Sequence, residues 1–182
     1  MPGEVPVRED DLKSNDRPWF EPLVRELEND ALGFTMTLVH DRELAEELLQ
    51  EAFARVWASA NTPSDRPAFK RWLYHTILNL ARDHARRRKR WSLLHFWSPQ
   101  PPDPLDEVER RADDAALVAA LRRLDPRARA ALHLRYFEDR SFAEVAETLG
   151  LKEPTARVIV HRALAKLRGT LGDSLAVGGV KA

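Results

Sequence analysis

The fold is decided by residues 141–168, SFAEVAETLGLKEPTARVIVHRALAKLR. Ser141 and Glu144 have the spacing of a capping box, in which each side chain satisfies a backbone N–H of the other residue at a helix start. Gly150 is the residue type expected just past the end of that helix. A second helix opens near Pro154, which suits a first turn because its missing N–H costs nothing there. Two short helices joined by a Gly-containing turn predict a helix-turn-helix.

The second helix of this motif is basic, as expected for a helix that enters the major groove of DNA while the first helix braces it. The alternative is an αα-hairpin with a purely structural role. The order of capping box, glycine stop and basic second helix favours DNA binding. The basic side chains of the second helix are Arg157, His161, Arg162, Lys166 and Arg168.

The chain upstream of the motif divides at a proline-rich segment. Residues 98–104 hold four prolines in seven positions, which no helix or sheet tolerates, so we predict an extended linker over 91–104. The apolar stretch 91–97 either continues the preceding helix into the core or forms a patch that a partner covers. Beyond the linker, residues 105–172 form the second domain, with a helix at about 105–124 and another that begins at Asp125-Pro126.

The first domain spans residues 19–90 and is predicted to contain three or four helices. Apolar residues after Asp41, a plausible N-cap, recur at alternating spacings of one and three, which is one face of a helix. A helix over about 19–39 precedes it, and one over 67–90 follows the loop 61–67. The predicted fold is therefore all-α, with two small helical domains joined by a Pro-rich linker, and with flexible tails at 1–18 and 173–182.

Composition excludes several classes of protein. The 182 residues contain no cysteine, which rules out disulfide frameworks, thiolate nucleophiles and cysteine zinc sites. The six histidines are scattered, so we expect no metal and no cofactor. No stretch approaches 18 apolar residues, and the N-terminus is acidic where a signal peptide would be basic, so we expect no membrane insertion and a cytoplasmic location.

The net charge of zero hides a strong alternation of charge along the chain. Residues 1–60 carry 6 basic and 14 acidic side chains, whereas residues 61–90 carry 9 and 2. Residues 91–126 carry 4 and 7, and residues 127–182 carry 10 and 6. Separate acidic and basic surfaces follow from this pattern, and a local basic block can bind phosphate whatever the total charge.

Two helices of the first domain carry candidate binding surfaces. Aromatic and cationic residues alternate along 67–90, which suits single-stranded nucleic acid because bases stack on rings while cations follow phosphates. The alternative is that Trp72 is a core residue and the arginine run 86–90 a solvated helix end. On the helix after Asp41, an acidic face is either merely solvated or a docking surface. No histidine or pocket converges on its carboxylates, so we expect no catalytic residue and no enzyme.

The motifs together resemble the extracytoplasmic-function group of bacterial RNA polymerase sigma factors. Residues 41–57 (DRELAEELLQEAFARVW), 69–74 (FKRWLY) and 79–88 (NLARDHARRR) are similar to region 2 of that group. Residues 124–137 (LDPRARAALHLRYF) and 141–150, with Thr155 and His161-Arg-Ala163, are similar to region 4.

The resemblance implies a role for each surface. The acidic face, Glu46, Glu47, Gln50 and Glu51, would dock on the β′ clamp helices of core RNA polymerase. The loop 61–66 and the helix after it would capture the unstacked minus-ten strand, with candidate residues Arg71, Trp72, Tyr74, Asn79, Arg82, Arg86 and Arg87. The helix-turn-helix would read the minus-35 duplex of promoter DNA, with candidate residues Thr155, Arg157, Val158, Ile159, His161, Arg162 and Lys166. The same domain would touch the β flap, the linker would pass the active-site cleft, and an anti-sigma factor would restrain the chain.

The recognition helix departs from the group's pattern at three residues. The recognition helix of that group usually has a small polar residue followed by a basic one, and at these positions this chain has Val158 and Ile159. Pro154 stands where the group usually has a glycine. Apolar side chains contact a thymine methyl group but make no bidentate bond to guanine. Two alternatives to a sigma factor stay open: a dimeric helix-turn-helix regulator of duplex DNA, and a helical adaptor or anti-sigma-like protein.

Overall fold

The computed structural model describes residues 17–94 and 112–178. Within these two segments the regular structure is helical and contains no strand, which confirms the all-α prediction. The first segment forms α1 (Phe20–Val39), α2 (Arg42–Ala58) and α3 (Arg66–Leu94). The second forms α4 (Ala112–Arg122), α5 (Pro126–Leu132), a π-helical turn (His133–Phe137), α6 (Phe142–Leu149) and α7 (Glu153–Gly178).

The predicted helix caps are present. The Asp41 carboxylate accepts a hydrogen bond from the backbone N–H of Leu44 at 3.0 Å, so it caps α2. The capping box is complete, because the Ser141 N–H donates to Glu144 Oε2 at 2.8 Å and the Glu144 N–H donates to Ser141 Oγ at 3.2 Å. Gly150 ends α6 with φ of 63°, a left-handed conformation that glycine adopts without a steric cost.

The core of the first domain lies between α1, α2 and α3, which contact one another pairwise. Phe34 and Tyr74 are buried and stack with ring centroids 4.2 Å apart. At the other end, Phe20 and Trp57 pack edge to face at 4.7 Å. The other large buried side chains of this core are Leu27, Leu38, Val56, Phe69, Leu73, Ile77 and Leu78.

The core of the second domain holds the two helices of the helix-turn-helix together. Val145 and Leu149 of α6 are buried against α7, whose inward positions are small or medium-sized. These positions recur every three or four residues and so form one face of the helix. They are Ala156, Val160, Ala163 and Leu167.

The two domains pack against each other. α1 and α3 of the first domain contact α5, and α3 also contacts α6. Buried side chains of both domains form one continuous cluster. The Arg129 guanidinium of α5 donates to the backbone carbonyl of Leu38 at the end of α1, where a cation also suits the helix dipole.

The ends of several elements differ from those expected from the sequence. α3 continues to Leu94, four residues into the predicted linker, and α7 continues to Gly178, past the expected start of the tail at residue 173. Arg17 lies in the expected N-terminal tail, yet its guanidinium donates to the carbonyls of Trp57 and Ser59, each at 3.0 Å. Residues 1–16, 95–111 and 179–182, with most of the predicted linker and tails, lie outside the described residues.

The helix after Pro126 ends in a π-helical turn rather than a continuous α-helix. The N–H of Glu138 donates to the carbonyl of His133 at 3.1 Å, and the next residue, Asp139, has φ of 52°. Positive φ is uncommon for a residue with a side chain, although aspartate tolerates it better than most. The effect is to turn Glu138 inward, between the two domains.

Candidate nucleic-acid and protein interfaces

The recognition helix α7 presents its predicted contact residues on one open face. Ile159 is half-buried, and the other six predicted positions are exposed. Val158 is 45% exposed, which is high for a large apolar side chain, so it is available to an external partner. The exposed residues are Thr155, Arg157, Val158, His161, Arg162 and Lys166.

Two of the recognition-helix cations are held by neighbours. Arg157 donates to Glu153 at 2.9 Å and its guanidinium lies 4.4 Å from the ring centroid of Phe142. Lys166 donates to the backbone carbonyl of Arg123 at 2.8 Å. Because both contacts are exposed, each contributes little to stability and restrains the side chain rather than removing it from solvent.

On α3, one face carries three of the predicted minus-ten residues. Trp72, Asn79 and Arg86 follow each other at intervals of seven residues, so they lie along the same side of the helix. Trp72, Asn79 and Arg82 are half-buried, whereas Arg86 and Arg87 are exposed with the rest of the arginine run. A hydrogen bond from Arg86 to Asp83 at 2.5 Å lowers the pKa of the Asp83 carboxyl. The arginine run is therefore a solvated cationic surface at the end of α3.

Arg71 and Tyr74 lie on a different face of α3, and that face contacts the second domain. Arg71 forms an ion pair with Glu147 of α6 at 3.0 Å. The Tyr74 hydroxyl donates to Glu138 at 2.8 Å, and Tyr74 is buried. Burial, together with the neighbouring Glu138 carboxylate, raises the pKa of the Tyr74 hydroxyl. The predicted minus-ten residues are therefore divided between an open face and an occupied one.

The acidic residues of α2 lie together on an exposed face. Arg42 donates to Glu46 at 2.9 Å and Arg55 donates to Glu51 at 2.5 Å. Glu47 and Gln50, between these pairs, are exposed, and their side chains bond to no other residue of the described segments. The exposed Glu47 carboxylate and Gln50 amide therefore lie at the centre of this face, where their chemistry is complementary to a basic protein surface.

Glu138 stands at the centre of a buried polar cluster that the sequence patterns do not reveal. Its carboxylate, only 12% exposed, accepts from Lys70 at 2.9 Å and from Tyr74 at 2.8 Å. His133 Nε2 lies 3.7 Å from Oε1, an electrostatic contact too long for a hydrogen bond, and Arg140 lies 3.5 Å from Oε2. Burial by itself would raise the pKa of the Glu138 carboxyl, but its partners His133, Lys70 and Tyr74 outweigh that effect and lower the pKa to about 2.

Other chemical features are few in the described part of the chain. Within residues 17–94 and 112–178, no group of three histidine, aspartate or glutamate side chains is placed to hold a metal ion. No helix of those segments is both long and apolar enough to cross a membrane.

Known families match both halves of the chain. Residues 23–91 match the family described as Sigma-70 region 2, and residues 120–169 match Sigma-70, region 4. The RNA polymerase sigma-E factor of Streptomyces coelicolor is 34% identical over 152 residues, which are 84% of this chain and 85% of that protein. The ECF RNA polymerase sigma factor SigL of Mycobacterium tuberculosis is 29% identical over 77% of this chain and 81% of its own.

A solved structure shares the arrangement of helices. It is the sigma factor RpoE crystallised with the anti-sigma factor NepR from Bartonella quintana, with a TM-score of 0.60 and 20% identity. The similarity covers 84% of this chain and 96% of that one. At this level of identity the comparison supports the fold.

Proposed function

This chain belongs to the extracytoplasmic-function group of bacterial RNA polymerase sigma factors, and we propose that it directs core RNA polymerase to a set of promoters. One observation carries the proposal: an open acidic face, an open cationic helix end and an open recognition helix occur on one chain that aligns with a sigma factor over 84% of its length. A plain DNA-binding regulator needs only the last of these three surfaces.

The acidic face of α2 is the proposed polymerase-binding surface. Its residues Glu46, Glu47, Gln50 and Glu51 would meet basic side chains of the β′ clamp helices. Glu47 and Gln50 carry most of this proposal, because Glu46 and Glu51 already bond to arginines of their own helix. Opposite charges on the two proteins would speed association and fix the orientation of docking.

The open face of α3 is the proposed minus-ten surface. Trp72 offers a ring on which a base stacks, and the cations at Arg82, Arg86 and Arg87 follow the phosphates of one strand. Strand opening on this surface needs no covalent chemistry. Binding to an unstacked base offsets the few kcal/mol that each unpaired step costs.

The recognition helix α7 is the proposed minus-35 surface, and the same domain would contact the β flap. Arg162 and Lys166 suit phosphate contacts, whereas Val158 suits the methyl group of a thymine.

Region 91–104 would connect the domains along the polymerase cleft. An anti-sigma factor would restrain the chain, as NepR is the partner of RpoE in the complex from Bartonella quintana. Work on polymerase would place the chain in the cytoplasm.

The test is transcription from fragmented genomic DNA by core polymerase, with and without the purified chain, followed by mapping of the transcript starts. We expect new starts, each preceded by the same pair of sequence elements. An unchanged set of starts would contradict the proposal. A palindromic site bound by the chain without polymerase would instead support the dimeric regulator.

A matched pair of variants tests the docking surface. Glu47→Lys with Gln50→Lys should abolish both polymerase binding and the new starts. Glu21→Lys with Glu28→Lys introduces two lysines on an exposed part of α1 and should leave both unchanged. Equal effects of the two pairs would mean that general charge, rather than the α2 face, determines binding to polymerase.

A further inference from the structure

A cluster of cations lies where the end of α1 meets the start of α5. Arg129 forms its base, because it is only 9% exposed and its guanidinium donates to the carbonyls of Leu38 and Arg122. His40 follows α1 directly and is half-buried. The charges of further arginines on α3, α4 and α5 act on these side chains. The members of this cluster, here called the cationic junction, are His40, Arg82, Arg88, Arg122, Arg127 and Arg129.

The register of α1 on α3 explains why Arg82 belongs to this cluster. The Lys70 side chain donates to Asp30, 40 positions earlier, at 3.2 Å, and the Tyr74 ring stacks on Phe34 with the same separation in sequence. Because the contacts advance together along both helices, α1 and α3 are parallel. Both helices rise by about 1.5 Å per residue, so the same offset places Arg82 level with the chain that leaves α1.

The segment that begins with α5 runs in the opposite direction. Glu138 contacts Lys70 near the start of α3, whereas Arg129 contacts the end of α1. Arg127 is closer still to the start of α5, so it lies at the same end as Arg82, and the charge of Arg82 acts on it. The fold thus brings arginines of both domains together although they repel each other.

Little negative charge opposes these cations. In residues 17–94 and 112–178, Asp125 is the one carboxylate whose charge acts on both Arg127 and Arg129. Its side chain already accepts a hydrogen bond from the N–H of Ala128 at 3.0 Å, as the N-cap of α5. In the middle of the interface, by contrast, the buried Glu138 carboxylate pairs with its neighbouring cations. The cationic junction therefore lacks a comparable counter-charge among the described residues.

The cationic junction carries a cost in the folded chain. In the described segments, the buried side-chain nitrogens that form no hydrogen bond are His40 Nε2, Arg127 Nε and Arg129 Nε, all within this cluster. Burial, followed by repulsion from Arg129, lowers the pKa of His40 to about 4. Burial also lowers the pKa of the Arg127 guanidinium, and repulsion from Arg82 acts in the same direction. A buried charge without an opposite charge loses hydration and gains no attraction in return, so a bound anion would reduce the cost.

The arrangement favours an anion with several negative charges. A chloride ion or a single carboxylate would neutralise only part of a cluster of five guanidiniums. The planar guanidinium also presents parallel N–H groups that match two oxygens of a phosphate. The half-buried Arg82 and Arg127 are placed to make these contacts, with Arg88 and Arg122 at the exposed rim and Arg129 below them.

We propose that the cationic junction binds the diphosphate group of a small molecule, held between Arg82 of the first domain and Arg127 of the second. The site shares Arg82 with the proposed minus-ten surface and lies apart from the recognition helix and the acidic face of α2. It does not rest on the proposed function, since binding requires neither polymerase nor promoter. A ligand that binds only the folded chain also raises its stability.

The first test is a calorimetric titration of the whole chain with inorganic pyrophosphate. We expect one ion per chain. Arg82→Gln and Arg127→Gln, made separately, should each weaken binding about tenfold or more, because each removes charge-assisted hydrogen bonds. The matched control, Lys152→Gln with Arg168→Gln, removes two exposed cations at and near α7 and should leave binding unchanged. Equal weakening by the control pair would mean that general charge attracts the ion, and would overturn the proposal.

A second readout locates the ion without any change in the cationic junction. The His40 ring is followed by NMR as a function of pH, with its resonance assigned by comparison with His40→Asn. Because repulsion from Arg129 and Arg122 contributes to the low pKa of His40, pyrophosphate should raise that pKa from about 4 toward 6.5. Sodium chloride at the same ionic strength screens these charges and should raise it less. An unchanged pKa of His40 at saturating pyrophosphate, or an equal rise in sodium chloride, would overturn the site.

A DNA strand is the other source of phosphate groups, so both measurements are repeated with a short single-stranded oligonucleotide. If the strand raises the pKa of His40 and pyrophosphate does not, the cationic junction belongs to the DNA surface and the small-molecule site is refuted. A chain that binds pyrophosphate at the cationic junction but produces no new transcript starts would refute the proposed function and leave this site intact.

Discussion

Replacement of Glu138 by glutamine should lower the stability of the whole chain at neutral pH. The ordinary pKa of this carboxyl is 4.5, and in the folded chain its pKa is about 2. A shift of that size corresponds to about 3 kcal/mol at about 1.4 kcal/mol per pH unit. This is an upper value, because His133 is too far away for the hydrogen bond that would contribute part of the shift.

The effect should depend on pH with a definite sign. Because folding lowers the pKa of Glu138, the stabilisation is fully present above the unfolded value of 4.5 and is lost as the pH falls through the folded value of about 2. The difference in unfolding free energy between parent and Glu138→Gln should therefore fall from about 3 kcal/mol at neutral pH to less than half of that value one pH unit above the folded pKa.

Urea denaturation with two probes provides the assay. All five tryptophans lie within residues 19–97, so their fluorescence reports on the first half of the chain, whereas far-UV circular dichroism reports on all helices. If the interface couples the domains, the two transitions of the parent chain coincide, and those of Glu138→Gln separate. A difference in unfolding free energy between parent and Glu138→Gln below about 0.5 kcal/mol at neutral pH would be that of an ordinary surface substitution. Such a result would refute the conclusion that the Glu138 cluster stabilises the chain.

Three further predictions concern stability and one concerns DNA. Ser141→Ala removes one half of the capping box and should cost about 1 kcal/mol in urea denaturation. Gly150→Ala should cost roughly 1–2 kcal/mol, because its φ is 63° and the new Cβ would crowd His75. Burial, followed by repulsion from Arg129, lowers the pKa of His40 from 6.5 to about 4, so the folded chain disfavours the protonated ring. The stability of the parent chain is therefore complete above pH 6.5 and is lost progressively as the pH falls toward 4. The difference in unfolding free energy between parent and His40→Asn should change only within that pH window. Neutralising 86–90 to glutamine should weaken promoter opening and reduce its salt dependence, measured as open-complex formation against salt concentration.

The helices and their caps could be predicted from the sequence because the signals are local. Asp41, Ser141 and Gly150 act on backbone groups within a few residues of themselves, and the structure places each where its spacing indicates. The helix-turn-helix follows from the same signals. The exposed face of α7 also follows, since helical periodicity decides which residues point away from the core.

The contact between the domains could not be predicted in the same way. Glu138 and Lys70 are 68 positions apart, and nothing in either local pattern relates them. The π-helical turn that directs Glu138 inward has no sequence signal of its own. Tyr74 illustrates the consequence: its place in an aromatic and cationic helix suggests a DNA contact, yet its hydroxyl bonds to the second domain.

The measurement that tests the central claim most directly is the permanganate reactivity of thymines in a promoter obtained from the mapped starts. Core polymerase alone should leave the duplex unreactive. Addition of the chain should make thymines of the minus-ten element reactive, and a variant with Trp72→Ala and Arg86→Gln should reduce that reactivity at equal polymerase binding. Full assembly with core polymerase but no unpaired thymine at any such promoter would contradict the account.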